Sequence, residues 1–150
     1  MTETPGIFSQ FVVNKLYQKE EGTACFAPYL SVKVSTLVGR SILGDVLPAR
    51  IDTGADITCI PEAAVKHLMP LLKGKPVIIR GHDGCIKKCA TYFLSISLLG
   101  YPDNEQIETV TPERGVLLTD SNIVLVGADI TSRFLVTMDG PKQMFSMSRH

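Results

Sequence analysis

The chain has 150 residues, about one domain's worth, with 45% hydrophobic and 20% charged side chains, too apolar for a disordered chain and long enough to bury one core. Fifteen Lys and Arg balance fifteen Asp and Glu, which removes the basic footprint of a nucleic-acid binder or a polybasic membrane-surface protein. No basic segment precedes an apolar one at the start, and no run approaches the roughly 18 apolar residues of a spanning helix, so the expectation is no nucleic acid, no membrane, a cytoplasmic location, and reduced thiols at Cys25, Cys59, Cys85 and Cys89.

Twelve glycines, nine prolines and short β-branched runs dominate, and long 3.6-residue periods are rare, so the fold class is mostly β. Residues 1–26 read as an N-terminal extension, with strand at 11–17, and 27–150 as the domain. Residues 28–37 alternate, with Leu30, Val32 and Val34 on one face and Ser31, Lys33 and Ser35 on the other. A hairpin connection at 39–44 leads to an apolar strand over 46–51, a bend at Gly54, and strand again over 57–60.

Pro61 stands at a first helical position, and the good helix formers behind it predict a short helix ending near Pro70. A strand over 76–80, a turn at 81–84 and one long strand over 85–99 predict a protruding hairpin. Residues 100–114 carry two prolines and read as a loop with room for a short strand at 107–110. Short buried strands follow at 116–118 and 123–126, then one or two helical turns over 127–134. A terminal hairpin pairs 135–138 with 143–147.

Asp52-Thr53-Gly54 ends an apolar strand, where a carboxylate on a bend is exposed yet backed by rigid β structure. The tripeptide alone also describes an ordinary turn, with Asp as initiator and Gly as the left-handed residue. Three further segments in order make the pattern specific. Ile51-Asp52-Thr53-Gly54-Ala55-Asp56 resembles the active-site segment of the retropepsins, the retroviral-type aspartic proteases and their cellular relatives. Residues 28–34 resemble the strand before it, with a longer connection than in the compact viral enzymes. Residues 75–87 resemble the flap, a hairpin that closes over bound peptide, and residues 124–130 resemble the apolar-apolar-Gly motif and the helix after it.

That resemblance implies a closed, barrel-like β subunit with a flap hairpin and one short C-terminal helix. Hydrolysis by carboxylates needs two of them sharing one proton, one to take a proton from water and one to polarise the carbonyl. This chain supplies one such Asp; Asp120-Ser121 is followed by Asn122. A homodimer that sets Asp52 opposite its copy completes the pair through an isologous interface. The expected function is an aspartic endopeptidase acting on a peptide or protein substrate, without cofactor; the alternative is a non-catalytic peptide-binding or dimerisation module on the same fold.

The resemblance assigns roles residue by residue. Asp52, Thr53 and Gly54 form the catalytic segment, Thr53 bonding across to the partner loop and Gly54 meeting substrate backbone. Asp56 binds substrate main chain. Ala55, Ile57, Cys59, Ile79, Ile123 and Leu125 line apolar subsites, although alternating apolar residues in strands are also ordinary core. Gly81, His82, Asp83 and Gly84 form the flap tip, with His82 and Asp83 in place of the small residues of the viral enzymes. Arg50, two residues before Asp52, alternates onto its side, where it favours an acidic substrate side chain or pairs with a neighbouring acid. Ala128 stands where many relatives carry an arginine that braces the acid matching Asp56, leaving that ion pair to Arg50 or Arg133 or absent. No metal is expected: Cys85 and Cys89 lie about 13 Å apart on an extended strand, and His67 and His150 have no partner at ligand spacing.

Overall fold

The alternation at residues 28–37 forms strand β3, Phe26–Ser35, with Leu30, Val32 and Val34 at most 3% exposed. The structure, a computed structural model, describes residues 11–13, 16–18, 26–36, 46–81, 83–100, 104–139, 141 and 144–148. The predicted connection at 39–44 lies outside them. On one side β3 pairs antiparallel with β4, Leu47–Ile51, through Tyr29↔Arg50 and Leu30↔Ala49. Pro48 is tolerated because the pairing of β4 with its other neighbour covers only Ala49 to Ile51.

β1 (Phe11–Val13) and β2 (Leu16–Gln18) occupy the region expected as one N-terminal strand. They diverge, β2 pairing with β3 and β1 with a C-terminal strand. After Asp52 the chain resumes as β5, Cys59–Pro61, two residues later than expected because Ile57 and Thr58 belong to the connecting loop. Pro61 therefore ends β5 and caps α1, Glu62–Val65, instead of opening it, and the expected helix finishes as a 3-10 turn at Lys66–Leu68.

The single strand expected over 85–99 is two strands. β6, Val77–Arg80, pairs with β7, Ile86–Cys89, as a hairpin of four residues a side. The chain then leaves it, because Tyr92 exchanges backbone hydrogen bonds with Val116 at 2.8 and 3.0 Å and Phe93 N–H donates to Leu72 O at 2.8 Å. β8, Ser95–Gly100, starts beyond that crossing and pairs with β3. Leu94, Ile96 and Leu98 are fully buried, whereas Tyr92 is not. The stretch read as a loop holds a six-residue strand, β9, Glu105–Val110, on the free side of β8. Its Glu105, Gln106 and Thr109 are exposed, and a polar exposed face hides a strand from a hydrophobicity pattern.

β10 (Leu117–Thr119), β11 (Val124–Val126), the single-turn α2 (Ala128–Thr131), β12 (Leu135–Asp139) and β13 (Met144–Ser148) complete the chain. The main sheet runs β10-β5-β11-β4-β3-β8-β9, with β2 beside β3, and a second sheet runs β1-β13-β12. The expected closed barrel is not seen: among the described residues β10 and β9 end an open sheet. One apolar cluster joins the layers, from Val32 and Leu98 in the large sheet to Ile130 in α2 and Phe145 and Met147 in the small one. No described helix is long and apolar enough to cross a membrane.

Val32 and Leu98 are register partners and fully buried. Leu98→Ala is expected to lower stability by about 2–5 kcal/mol through lost transfer energy and a residual cavity. Urea denaturation should show a lower midpoint at unchanged slope, while Ile78→Ala, at a site 71% exposed, stays within about 0.5 kcal/mol of wild type.

Candidate active site

The site is built where β11 enters between β4 and β5. It lies parallel to β4, Val126 beside Ile51, and antiparallel to β5 at Leu125↔Cys59. The chain from β4 to β5 must therefore pass around the end of β11, and residues 52–58 form that passage. Asp52 N–H donates to Val126 O at 2.9 Å, and Ala128 N–H to Ala55 O at 2.7 Å. Gly127 sits so close that a Cβ there would fall 2.7 Å from Ala55 O and 2.9 Å from Ile57 C, so only glycine fits without displacing backbone.

One side-chain pair fastens the passage to the helix. Thr58, fully buried, donates its N–H to Asp129 Oδ2 at 3.0 Å and its hydroxyl to Asp129 Oδ1 at 2.7 Å. Its Oγ1 accepts the Gly127 N–H at 3.1 Å. Both carboxylate oxygens and the hydroxyl are thus engaged, which suits a fully buried Thr58 beside a half-buried Asp129. Sequence reasoning missed Thr58 and Asp129 as a pair. An acid two residues after the glycine of an apolar-apolar-Gly segment, at the start of a helix, is the local signal; its partner is 71 residues away.

Asp52 continues the alternation of β4: Ala49 and Ile51 are buried, while Arg50 and Asp52 are half-exposed on the other face. Asp52 Oδ1 accepts the Gly54 N–H at 3.1 Å. Thr53, Gly54 and Asp56 are exposed, Ala55 is half-buried and Ile57 is buried. Across the sheet Arg50, Leu125, Cys59 and Leu117 are successive register partners, so they share the face that Asp52 occupies. Ile123, just before β11, is half-buried. Ala128 contributes its backbone to the loop, and Arg133 is exposed.

A cleft of about 1070 Å³ lies between the hairpin β6–β7 and the wall formed by β10 and α1. Ile79, Gly81, Asp83, Cys85, Lys87 and Cys89 face it from the hairpin, and Glu62, Leu117, Thr119 and Asp120 from the wall. The 52–54 segment does not line it. The Leu117↔Cys59 pairing joins the two places, since Leu117 lines the cleft and Cys59 shares the face of Asp52. At the hairpin tip Gly84 has φ +82°, a conformation open to glycine, and Asp83 Oδ1 accepts the Cys85 N–H at 3.0 Å. That hydrogen bond holds the Asp83 carboxyl below its ordinary value, with Lys87 adding a smaller pull. His82 lies outside the described residues.

Lys87, Glu62 and Thr119 were not singled out in the sequence, since no motif marks them, and Asp120 was weighed only as a second catalytic segment, which Asn122 breaks. Thr119 Oγ1 is buried without a hydrogen-bond partner among the described residues, in a wall that faces the cleft. Among those residues no three His, Cys, Asp or Glu side chains converge as metal ligands. Burial pushes the Cys59 thiol up, helped by the charges of Asp129 and Asp52.

Thr58→Val and Asp129→Ala each strand a buried group and are expected to lower stability by about 1–3 kcal/mol, with the double variant well short of the sum; a double-mutant cycle by denaturation measures this. Native Cys59 is expected to resist iodoacetamide until the pH exceeds that needed in urea, because the thiolate reacts and the fold favours the thiol. The same shift removes stability as pH rises past the unfolded thiol's value, where the unfolded chain releases a proton that the folded one keeps.

No protein-family model matches the chain, and no curated protein matches it. Solved structures do. The Simian Foamy Virus (mac) protease is similar at 23% identity and a TM-score of 0.45, covering 70% of this chain and 92% of its own. A foamy viral protease-reverse transcriptase in complex with an RNA/DNA hybrid is similar at 24% identity and a TM-score of 0.46, over 68% of this chain and 11% of that one. A retropepsin-like aspartic protease from Rickettsia conorii is similar at 15% identity and a TM-score of 0.49, covering 93% of this chain and 90% of its own. Solved structures that resemble this chain thus include proteases of foamy viruses and a retropepsin-like aspartic protease from Rickettsia.

Proposed function

We propose that the protein is an aspartic endopeptidase of retropepsin type, in which Asp52 of one copy and Asp52 of a second share a proton and activate water against a peptide bond. The observation that carries this is the setting of Asp52. It follows β4 directly, is anchored through its N–H to Val126 O, and is half-exposed on the face away from the core. A carboxylate so held keeps its geometry without reorganising during reaction.

In the reaction the ionised aspartate takes a proton from water as the water oxygen attacks the carbonyl carbon. The protonated aspartate hydrogen-bonds to the carbonyl oxygen, where negative charge develops. Collapse of the tetrahedral species breaks the C–N bond, and the leaving nitrogen takes up a proton from the pair. Thr53 braces the partner loop, and Gly54 and Asp56 receive the substrate backbone. Arg50, Ala55, Ile57, Cys59, Ile79, Ile123 and Leu125 shape the subsites, and the tip at Gly81, His82, Asp83 and Gly84 closes over the peptide. The peptide lies extended between hairpin and sheet, a mode in which backbone hydrogen bonds supply affinity and side-chain pockets supply selection.

Digestion of a peptide library by wild type and Asp52→Asn tests the assignment. Turnover is expected to fall by roughly 10²–10⁴-fold or more in a folded variant that keeps its oligomeric state. Wild-type specific activity is also expected to drop on dilution, since Ala128 offers no side-chain charge to an ion pair at the interface. Undiminished turnover by pure Asp52→Asn, or full activity in a monomer by ultracentrifugation, excludes the mechanism.

A further inference from the structure

The register of β6 and β7 sorts the hairpin's side chains into two faces. Ile79, Cys85, Lys87 and Cys89 line the cleft, and Ile78, Arg80, Ile86 and Lys88 alternate onto the other side. There Ile78 is the register partner of Lys88 and Arg80 of Ile86, so the isoleucines lie on one diagonal and the cations on the other. Ile78 and Ile86 are 71% and 62% exposed, and Arg80 and Lys88 are exposed beside them. The hairpin is a two-stranded sheet of its own, and none of these four residues lines the cleft.

The charge around this face is one-sided. Residues 73–88 hold Lys73, Lys75, Arg80, Lys87 and Lys88, five of the chain's fifteen Lys and Arg, against the single acid Asp83, and all six are exposed. Glu62 and Asp120 stand across the cleft from the inner face, and Glu113 lies at the hairpin base with Lys75 and Arg114. The expectation of no membrane rested on a net charge of zero. That balance is a sum over the whole chain, and it is compatible with one strongly basic face.

A ligand for this face is anionic and also takes in two branched aliphatic side chains. Nucleic-acid phosphates meet only the cations, and residues 77–89 carry no Phe, Tyr or Trp on which a base stacks. A folded protein partner needs roughly 800 Å² a side, more than four side chains of a narrow ribbon present. The surface of an anionic bilayer satisfies both halves of the pattern, with charged headgroups outermost and an acyl boundary just beneath them. We propose that the outer face of the hairpin is a membrane-surface contact for anionic phospholipid, Ile78 and Ile86 entering the headgroup–acyl boundary while Arg80 and Lys88 meet the headgroup phosphates. It uses no residue that lines the cleft, so it stands apart from the proposed endopeptidase.

The test sediments the full chain with vesicles of phosphatidylcholine alone and of phosphatidylcholine mixed equally with phosphatidylserine. Binding to the mixed vesicles only is expected, weakening as salt is raised. Arg80→Gln with Lys88→Gln should lower the partition coefficient about fivefold for each cation removed and flatten its salt dependence. Ile78→Ser with Ile86→Ser should also weaken binding but keep the salt dependence, whereas Leu135→Ser, at a 48% exposed position in the other sheet, should bind as wild type. The chain has no tryptophan, so Ile86→Trp supplies a lone indole whose emission should shift to the blue on mixed vesicles; the same change at Leu135 should show no shift. Urea denaturation checks that each variant is folded. No sedimentation with mixed vesicles, equal binding to both vesicle types, or an unshifted indole at position 86 in sedimenting protein overturns the proposal. Loss of binding in the cation variant with full binding in the isoleucine variant, or retention on RNA with none on vesicles, marks a general polyanion site and overturns the bilayer assignment.

Discussion

The two hydrogen bonds from Thr58 to Asp129 are the constraint on which the site depends. Thr58 lies in the loop that follows Asp52, and Asp129 in the first turn of the helix that follows β11. Their union fixes where the loop turns back into β5, and so how β4, which ends just before Asp52, meets β11 beside it in the sheet. Thr58 is fully buried and Asp129 half-buried, a setting in which an ionic hydrogen bond is strong and an unpaired group is costly. Gly127 makes the union reachable, because a side chain there would collide with the Ala55 and Ile57 backbone.

From that junction the architecture divides into a rigid part and a thinner one. The large sheet buries β8 against β3, with Ile96 and Leu98 fully enclosed. The hairpin β6–β7 forms its own two-stranded sheet and is tied at its base by Gly74 N–H to Thr91 O at 3.0 Å and Thr91 Oγ1 to Lys75 O at 2.9 Å. A two-stranded ribbon with apolar side chains exposed on its outer face has little burial of its own, and segments of this kind open at lower free energy than a core. Its inner face nonetheless carries Lys87 and the thiols of Cys85 and Cys89 toward the cleft.

The period-two alternation of β3 and the apolar run of β4 were legible because each residue's side is fixed by the pleat alone. The Asp52-Thr53-Gly54 segment was legible for a similar reason, since a carboxylate followed by glycine after an apolar strand is a local pattern. The division of 85–99 into two strands was not, because nothing between Ala90 and Leu94 breaks β propensity. The break comes from hydrogen bonds to Val116 and Leu72, both remote in sequence. β9 was legible only in part, as room for a short strand at 107–110, because its exposed face is polar and the strand is held by the edge of β8, not by its own hydrophobicity.

The sequence by itself determined the β class, the position of the Asp52 segment, the two-glycine hairpin tip, and the presence of one such aspartate per chain. These depend on residue type and short spacing, which act through local sterics and stoichiometry. Tertiary structure alone decided that the sheet formed by the described residues is open, that Thr58 and Asp129 lock the loop, and that Cys85, Lys87 and Cys89 face the same cleft as Glu62 and Asp120. Those outcomes depend on which distant backbone groups pair, and a pairing register is a property of two segments at once, so neither segment's sequence contains it.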